Sequence, residues 1–273
     1  MKKFWHPRCV HSSRVRRAVA QLAFLGRGPA NSVGSLGLSL QKVANAIRFE
    51  HFWETHVRQD PDTALVPSFA RSGSKKTIWD IALQRATALG EGGLILEFGV
   101  KNGVSLRYFG DNVPKTVRLV GFDSFQGIPE PWGSWPRGAI KGCGAPVELW
   151  TDPDQQSEVE KARRGEFPAP PHENISIEVG LFSETVPRFL SKGVARDIRL
   201  IHFDADLYMS TRPVLDSLCG QIGYPYYVLF DELYSVNHEF RAWMEFVEFY
   251  NVSQWKVVAI SEDGVQALFR VNG

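Results

Sequence analysis

Two glycines spaced Gly-x-x-x-Gly, Gly99 and Gly103, follow the apolar run Leu94-Ile95-Leu96 and the acidic Glu97. Glycines at that spacing let the backbone turn sharply after a strand and bring a ligand against the main chain with no Cβ in the way. The segment lacks the Gly-x-Gly-x-x-Gly of a dinucleotide fold and the Gly-Lys-Ser/Thr of a phosphate loop. A glutamate just before it suits a hydrogen-bond donor such as an ammonium, not a pyrophosphate. Asp123 ends the next apolar run, 20 residues beyond Gly103, where an acidic side chain can accept the two hydroxyls of a ribose. Together these residues describe a nucleoside that carries a positive charge, and S-adenosylmethionine answers that description. Asp204 and the pair Asp231-Glu232 end two further apolar runs. His238, just past the pair, is a candidate general base because a loop histidine titrates near neutrality; it and Asn237 are equally suited to capping a helix. His202, inside an apolar run, reads as a core histidine, and Asp206 and Tyr208 as residues that cap and pack a helix.

These side chains need a sheet to gather them. Five short apolar runs, Leu94–Leu96, Val117–Phe122, Ile175–Val179, Leu200–Phe203 and Tyr226–Phe230, predict the strands of a doubly wound, mostly parallel α/β sheet whose site lies at the carboxyl edge. From Leu40 to Leu89 apolar residues recur at helical spacing, as in Trp79, Leu83 and Ala86, which predicts helices packed on that sheet. Thr211 to Leu218 reads as a crossover helix with Pro213 in its first turn. Phe240, Trp243, Met244 and Val247 form a core stripe. Trp255–Ile260 and Val265–Val271 flank Ser261-Glu262-Asp263-Gly264, an antiparallel C-terminal hairpin that brings the expected sheet to seven strands. The segment 129–172, rich in Pro and Gly and holding Trp132, Trp135 and Trp150, is too long for an ordinary connection and is expected to act as a lid or substrate loop.

The composition, 44% hydrophobic and 22% charged, is that of a globular protein and excludes disordered and fibrous classes. Cys9, Cys143 and Cys219 make neither a disulfide framework nor a Cys-x-x-Cys site, which points to a reducing, cytoplasmic setting. No run approaches the roughly 18 apolar residues of a membrane span. Nine of the 31 Lys and Arg residues lie in the first 49 positions, which hold none of the 30 Asp and Glu. Residues 1–39 therefore read as a basic, flexible extension and 40–273 as one acidic-bodied domain, a poor partner for nucleic acid.

The motifs Glu97-Phe98-Gly99 with Gly103 and Ser105, Gly121-Phe122-Asp123-Ser124-Phe125-Gln126-Gly127, Asp204-Ala205-Asp206-Leu207-Tyr208 with Ser210-Thr211, and Phe230-Asp231-Glu232 resemble class I S-adenosylmethionine-dependent methyltransferases of the macrocin O-methyltransferase type. The resemblance runs from about Thr77 to Val271. It implies that Glu97, Gly99, Gly103 and Ser105 hold the methionine part of the cofactor, that Asp123 holds the ribose, and that Phe182, in the turn after the third strand, lies near the adenine. It implies a Mg²⁺ site at Asp204, Asp231 and Glu232, with Glu232 where the family pattern often has a second Asp, and makes Asp204 and His238 the expected catalytic residues. The implied partner is a small-molecule acceptor bearing a sugar or metabolite hydroxyl. Homo-oligomers are common among similar proteins, and the residues leave the oligomeric state open. The alternative is a methyltransferase-like binding or scaffold protein without catalysis.

Overall fold

The computed structural model describes residues 32–101, 103–132, 134–139 and 172–272. The basic arm up to residue 31, Trp150 and most of the expected lid lie outside the described residues. The chain runs α1 (Ser32–Phe52), which continues as a π-helical turn (Trp53–Arg58), β1 (Ala64–Val66), α2 (Phe69–Ser72), α3 (Lys76–Thr87), β2 (Leu94–Phe98), α4 (Val104–Asn112), β3 (Arg118–Asp123) and β4 (Ile175–Val179). It continues α5 (Phe182–Leu190), β5 (Ile198–Phe203), α6 (Tyr208–Leu218), β6 (Tyr226–Phe230), α7 (Glu239–Phe249), β7 (Trp255–Ser261) and β8 (Ala267–Val271).

The strands form one sheet in the order β1-β7-β8-β6-β5-β2-β3-β4. Only β8 runs against its neighbours, pairing antiparallel with both β6 and β7. The expected parallel sheet with a C-terminal hairpin is therefore present, with an eighth strand added. That strand, β1, has three residues and pairs parallel with β7, Ala64 opposite Ala259. Lying between Pro61 and Pro67, it is too short to show an alternating pattern in a stretch that reads as helical. Two further boundaries differ. Helix α1 starts at Ser32, ahead of the expected boundary at residue 40, and α6 starts at Tyr208, so Pro213 stands inside the helix and not in its first turn.

Strands β2 and β6 are buried at every position, which is why they read as unbroken apolar runs. On one face of the sheet, side chains from α1, α5, α6 and α7 pack on Leu96, Phe98, Phe122, Phe203 and Phe230. On the other, Trp79 of α3 and Phe109 of α4 cover Ile95, Leu119, Leu200 and Leu229. The last or next-to-last residues of four adjacent strands stack ring on ring: Phe98 on Phe122 at 4.6 Å, Phe98 on Phe203 at 5.3 Å and Phe203 on Phe230 at 5.3 Å between centroids. Aromatic pairs of this kind add about 0.5–1.5 kcal/mol each beyond area burial. Gly99, Asp123, Asp204 and Asp231 come directly after these rings in sequence, so the ring row is the floor from which the loops of the carboxyl edge rise.

Candidate active site

The loops after β2, β3, β4 and β5, with Lys75 and Glu232, enclose a cavity of ≈ 610 Å³ at that edge. Gly99 opens the first loop. Its φ is +96° and a Cβ there would stand 2.0 Å from the carbonyl oxygen of Asp204, so only glycine lets β2 and β5 stay hydrogen-bonded up to their ends, where Asp204 N–H donates to the Phe98 carbonyl at 2.9 Å. Gly103 takes a left-handed conformation at the N-terminus of α4. Its amide closes the turn on the Val100 carbonyl at 2.7 Å.

Asp123 is fixed by this turn. The Lys101 N–H donates to its Oδ2 and the Phe125 N–H to its Oδ1, each at 2.7 Å. Both donors have left-handed backbones, φ 50° and 53°, strained for non-glycine residues, and the carboxylate offsets that strain by accepting their amides. Burial raises the Asp123 carboxyl above its ordinary value while these amides pull it down. Asp123 faces the cavity together with Gly99, Gly180 and Phe182. The Phe182 ring meets Phe98 edge-on at 5.3 Å.

Strand order fixes the layout, at about 4.8 Å per strand: Phe182 after β4, Asp123 at the end of β3, Gly99 after β2, Asp204 after β5 and Glu232 after β6. One end of the edge thus offers an aromatic ring and a ribose-type acceptor, and the other offers carboxylates. Asp204, Asp206 and Glu232 line the acidic end. Burial, then the nearby Asp231 charge, raises Asp204 well above the carboxylate range, Asp206 to about 6 and Glu232 to about 7. Asp206 also has a left-handed backbone, φ 59°.

Five of the residues expected from sequence, Glu97, Gly103, Ser105, Asp231 and His238, lie outside the cavity lining. Glu97 is fully buried with its Oε2 3.0 Å from His202 Nδ1, and the pair sits under the sheet beside Trp79 and Phe109, outside the cavity lining. Strand alternation explains this, because Glu97 shares the face of Ile95 and not that of Phe98. Burial alone would lower the His202 pKa, but the Glu97 hydrogen bond and charge outweigh it and raise it. Ser105 is buried in the first turn of α4. His238 accepts the Tyr208 N–H on Nδ1 at 3.3 Å, capping α6 across the loop, and burial followed by Lys42 and Arg241 pushes it down to about 4. Its ring meets Trp132 edge-on at 6.5 Å. Trp132 lines the cavity, while Trp135, paired with it through backbone hydrogen bonds, is exposed.

The acidic end holds two residues that sequence reading did not single out. Lys75, just ahead of α3, lines the cavity and binds Asp231 Oδ2 through its ammonium; Asp231 and Asp204 raise its pKa against the effect of burial. Gln266 Nε2 donates to the other oxygen, Oδ1, at 2.5 Å. Nothing local marks Lys75, because its partner is 156 positions away. With Asp231 held by the Lys75 ammonium, whose charge repels a second cation, and by Gln266, and with no group of three His, Cys, Asp or Glu side chains arranged to hold a metal ion as the described residues stand, this donor set does not fit the Mg²⁺ that the resemblance implied.

The profile of the macrocin O-methyltransferase (TylF) family matches residues 80–270. The chain belongs to that family. It is accordingly an S-adenosylmethionine-dependent O-methyltransferase, as its motifs implied. Its fold is similar to that of CalS11, a calicheamicin methyltransferase, with TM-score 0.53 and 22% identity over 90% of this chain and 96% of that one. The O-methyltransferase NovP is similar at TM-score 0.47 and 16% identity, covering 72% of this chain and 79% of that one. TomG from Streptomyces achromogenes, an O-methyltransferase of tomaymycin synthesis solved with S-adenosylmethionine, gives 0.45 and 15%, covering 73% and 82%. No curated protein sequence matches the chain. No helix among the described residues is long and apolar enough to cross a membrane.

Proposed function

We propose that the acceptor is a hydroxyl of a sugar or other small metabolite, and that the residues of the carboxyl edge divide the work along the strand order. S-adenosylmethionine supplies the methyl group, whose carbon is displaced from sulfur by the acceptor oxygen. Asp123 holds the ribose hydroxyls with the lone pairs its two amide contacts leave free, Gly99 and Gly103 let the main chain approach the methionine portion, and Phe182 gives the adenine an apolar face. Asp204 lies one strand from Gly99, beside the place where the methyl leaves, and takes the acceptor's proton. Trp132 shields the acceptor side from water and offers a flat apolar surface to a sugar ring. Alignment of acceptor and donor supplies most of the acceleration in such a displacement.

The observation that carries this reading is the doubly anchored Asp123 at one end of a cavity whose other end is acidic. Calorimetric titration with S-adenosylhomocysteine tests the cofactor half, with micromolar binding expected. Incubation with S-adenosylmethionine and a panel of sugars and phenols tests the other half, with a product heavier by one CH₂ expected. Absence of binding would refute the reading.

A further inference from the structure

The acidic end places Asp204, Asp206 and Glu232 on the cavity wall beside Lys75, which binds the buried Asp231 behind them, while Lys101 lines the same cavity near Asp206. Asp231 is fully buried, whereas the Lys75 side chain is 29% exposed, so the ammonium is held from below by a carboxylate and stays open to the cavity above. An ammonium has three N–H donors; one goes to Asp231, which leaves two on a group that lines the cavity with Asp204 and Glu232. Gln266 occupies the second oxygen of Asp231, so the carboxylate cannot turn toward another cation without breaking both contacts.

We propose that Lys75 is the resident cation of the acceptor end, standing on Asp231 in place of a divalent ion and donating a hydrogen bond to the acceptor oxygen, so that methyl transfer needs no metal. The inference rests on the methyl-transfer reading. In the step itself the acceptor oxygen forms its bond to the methyl carbon as the carbon–sulfur bond breaks, the bonding pair goes to sulfur to give the neutral thioether, and the hydroxyl proton passes to Asp204. Lys75 keeps its proton throughout. Its charge stabilises the oxygen as negative charge grows there, which is strongest in a site that excludes water.

Mn²⁺ binding to the full chain decides the matter, followed by the paramagnetic signal of the free ion in the presence of S-adenosylhomocysteine. The wild type is expected to retain no Mn²⁺ at micromolar concentrations. Lys75→Met, which keeps the stem and removes the charge, frees Asp231 beside Asp204 and Glu232 and is expected to bind Mn²⁺ at least on the order of 10-fold more tightly, with S-adenosylhomocysteine affinity within a few fold. Lys75→Arg, which retains a cation, is expected to behave as the wild type toward Mn²⁺ and covers the case in which the Met variant does not fold. One Mn²⁺ bound per wild-type chain at micromolar concentration would overturn the proposal, as would a Met variant no better than wild type. Loss of S-adenosylhomocysteine binding by the wild type would instead strike the methyl-transfer reading, whatever Mn²⁺ does.

Discussion

Replacing Gly99 with alanine puts a methyl group where the structure has a carbonyl oxygen. The new Cβ would lie 2.0 Å from the Asp204 oxygen and 2.7 Å from its carbon, at φ +96°. To reach ordinary contact the ends of β2 and β5 must part by more than about 1 Å, which breaks the 2.9 Å bond from the Asp204 N–H to the Phe98 carbonyl. The unfavourable backbone costs about 1–3 kcal/mol, the overpacking about 1–3 kcal/mol and the lost hydrogen bond about 1 kcal/mol. The expected destabilisation is therefore about 3–7 kcal/mol, a large part of the roughly 5–15 kcal/mol by which a domain is stable. Gly103→Ala is the control. Its φ is +68° but the nearest atom to the added Cβ is 3.9 Å away, so only the left-handed backbone is penalised, by about 1–2 kcal/mol. Urea unfolding of both variants checks the argument, read from the midpoint at unchanged slope. A Gly99→Ala midpoint equal to that of Gly103→Ala would refute it, because the close approach of the two strands would then carry no energy.

Asp123→Ala removes the acceptor of two 2.7 Å amide bonds as well as the ribose contact, and S-adenosylhomocysteine affinity should fall on the order of 10- to 100-fold by calorimetry; unchanged affinity would take Asp123 out of the ribose role. His238→Gln should lower stability by about 1 kcal/mol through the lost α6 cap and leave methyl transfer within a few fold, whereas a loss of about 100-fold would restore His238 as general base. Between pH 6.5 and 8 the melting temperature should fall. Asp206 at about 6 and Glu232 at about 7 hold protons in the folded chain that the unfolded chain has already released, so the folded state loses ground as pH rises through those values. Glu232 alone contributes roughly 1 kcal/mol of that loss. The raised His202 acts in the same sense, whereas His238, held down to about 4, acts in the opposite sense, because the unfolded histidine still carries part of a proton at pH 6.5, and offsets roughly 0.4 kcal/mol of the loss. A melting temperature that rises over this interval would contradict the assigned shifts.

Strand ends were legible because each buried strand is an unbroken apolar run that stops at a glycine or acid, and the hairpin because Asp263-Gly264 sits between two such runs. What sequence could not supply was contact between distant positions. Lys75 follows Ser74 and precedes Lys76 at a helix start, a pattern that elsewhere means a solvated surface, and its value comes entirely from Asp231. Glu97 could have been placed better from the pattern alone, since it lies within the strand and alternates with Leu96 and Phe98 to the face of Ile95. Ser32 to Ser39, with Gly34 and Gly37, reads as a linker by composition; the aromatic residues Phe49, Phe52 and Trp53 further along, packed on the sheet, anchor the helix that runs through it.

The row of phenylalanines beneath the carboxyl edge ties the fate of the site's parts together. Phe98, Phe122, Phe203 and Phe230 are fully buried and lean on one another across four strands, so shrinking any one of them releases its neighbours and shifts every loop that starts above. Gly99, Asp123, Asp204 and Asp231 therefore cannot drift independently during evolution, because all inherit their height from the same row. On the proposed reading, change of acceptor enters where the row does not govern, at the part of the cavity rim formed by Trp132 and Met209. A laboratory seeking a new acceptor should diversify that rim and leave the floor alone.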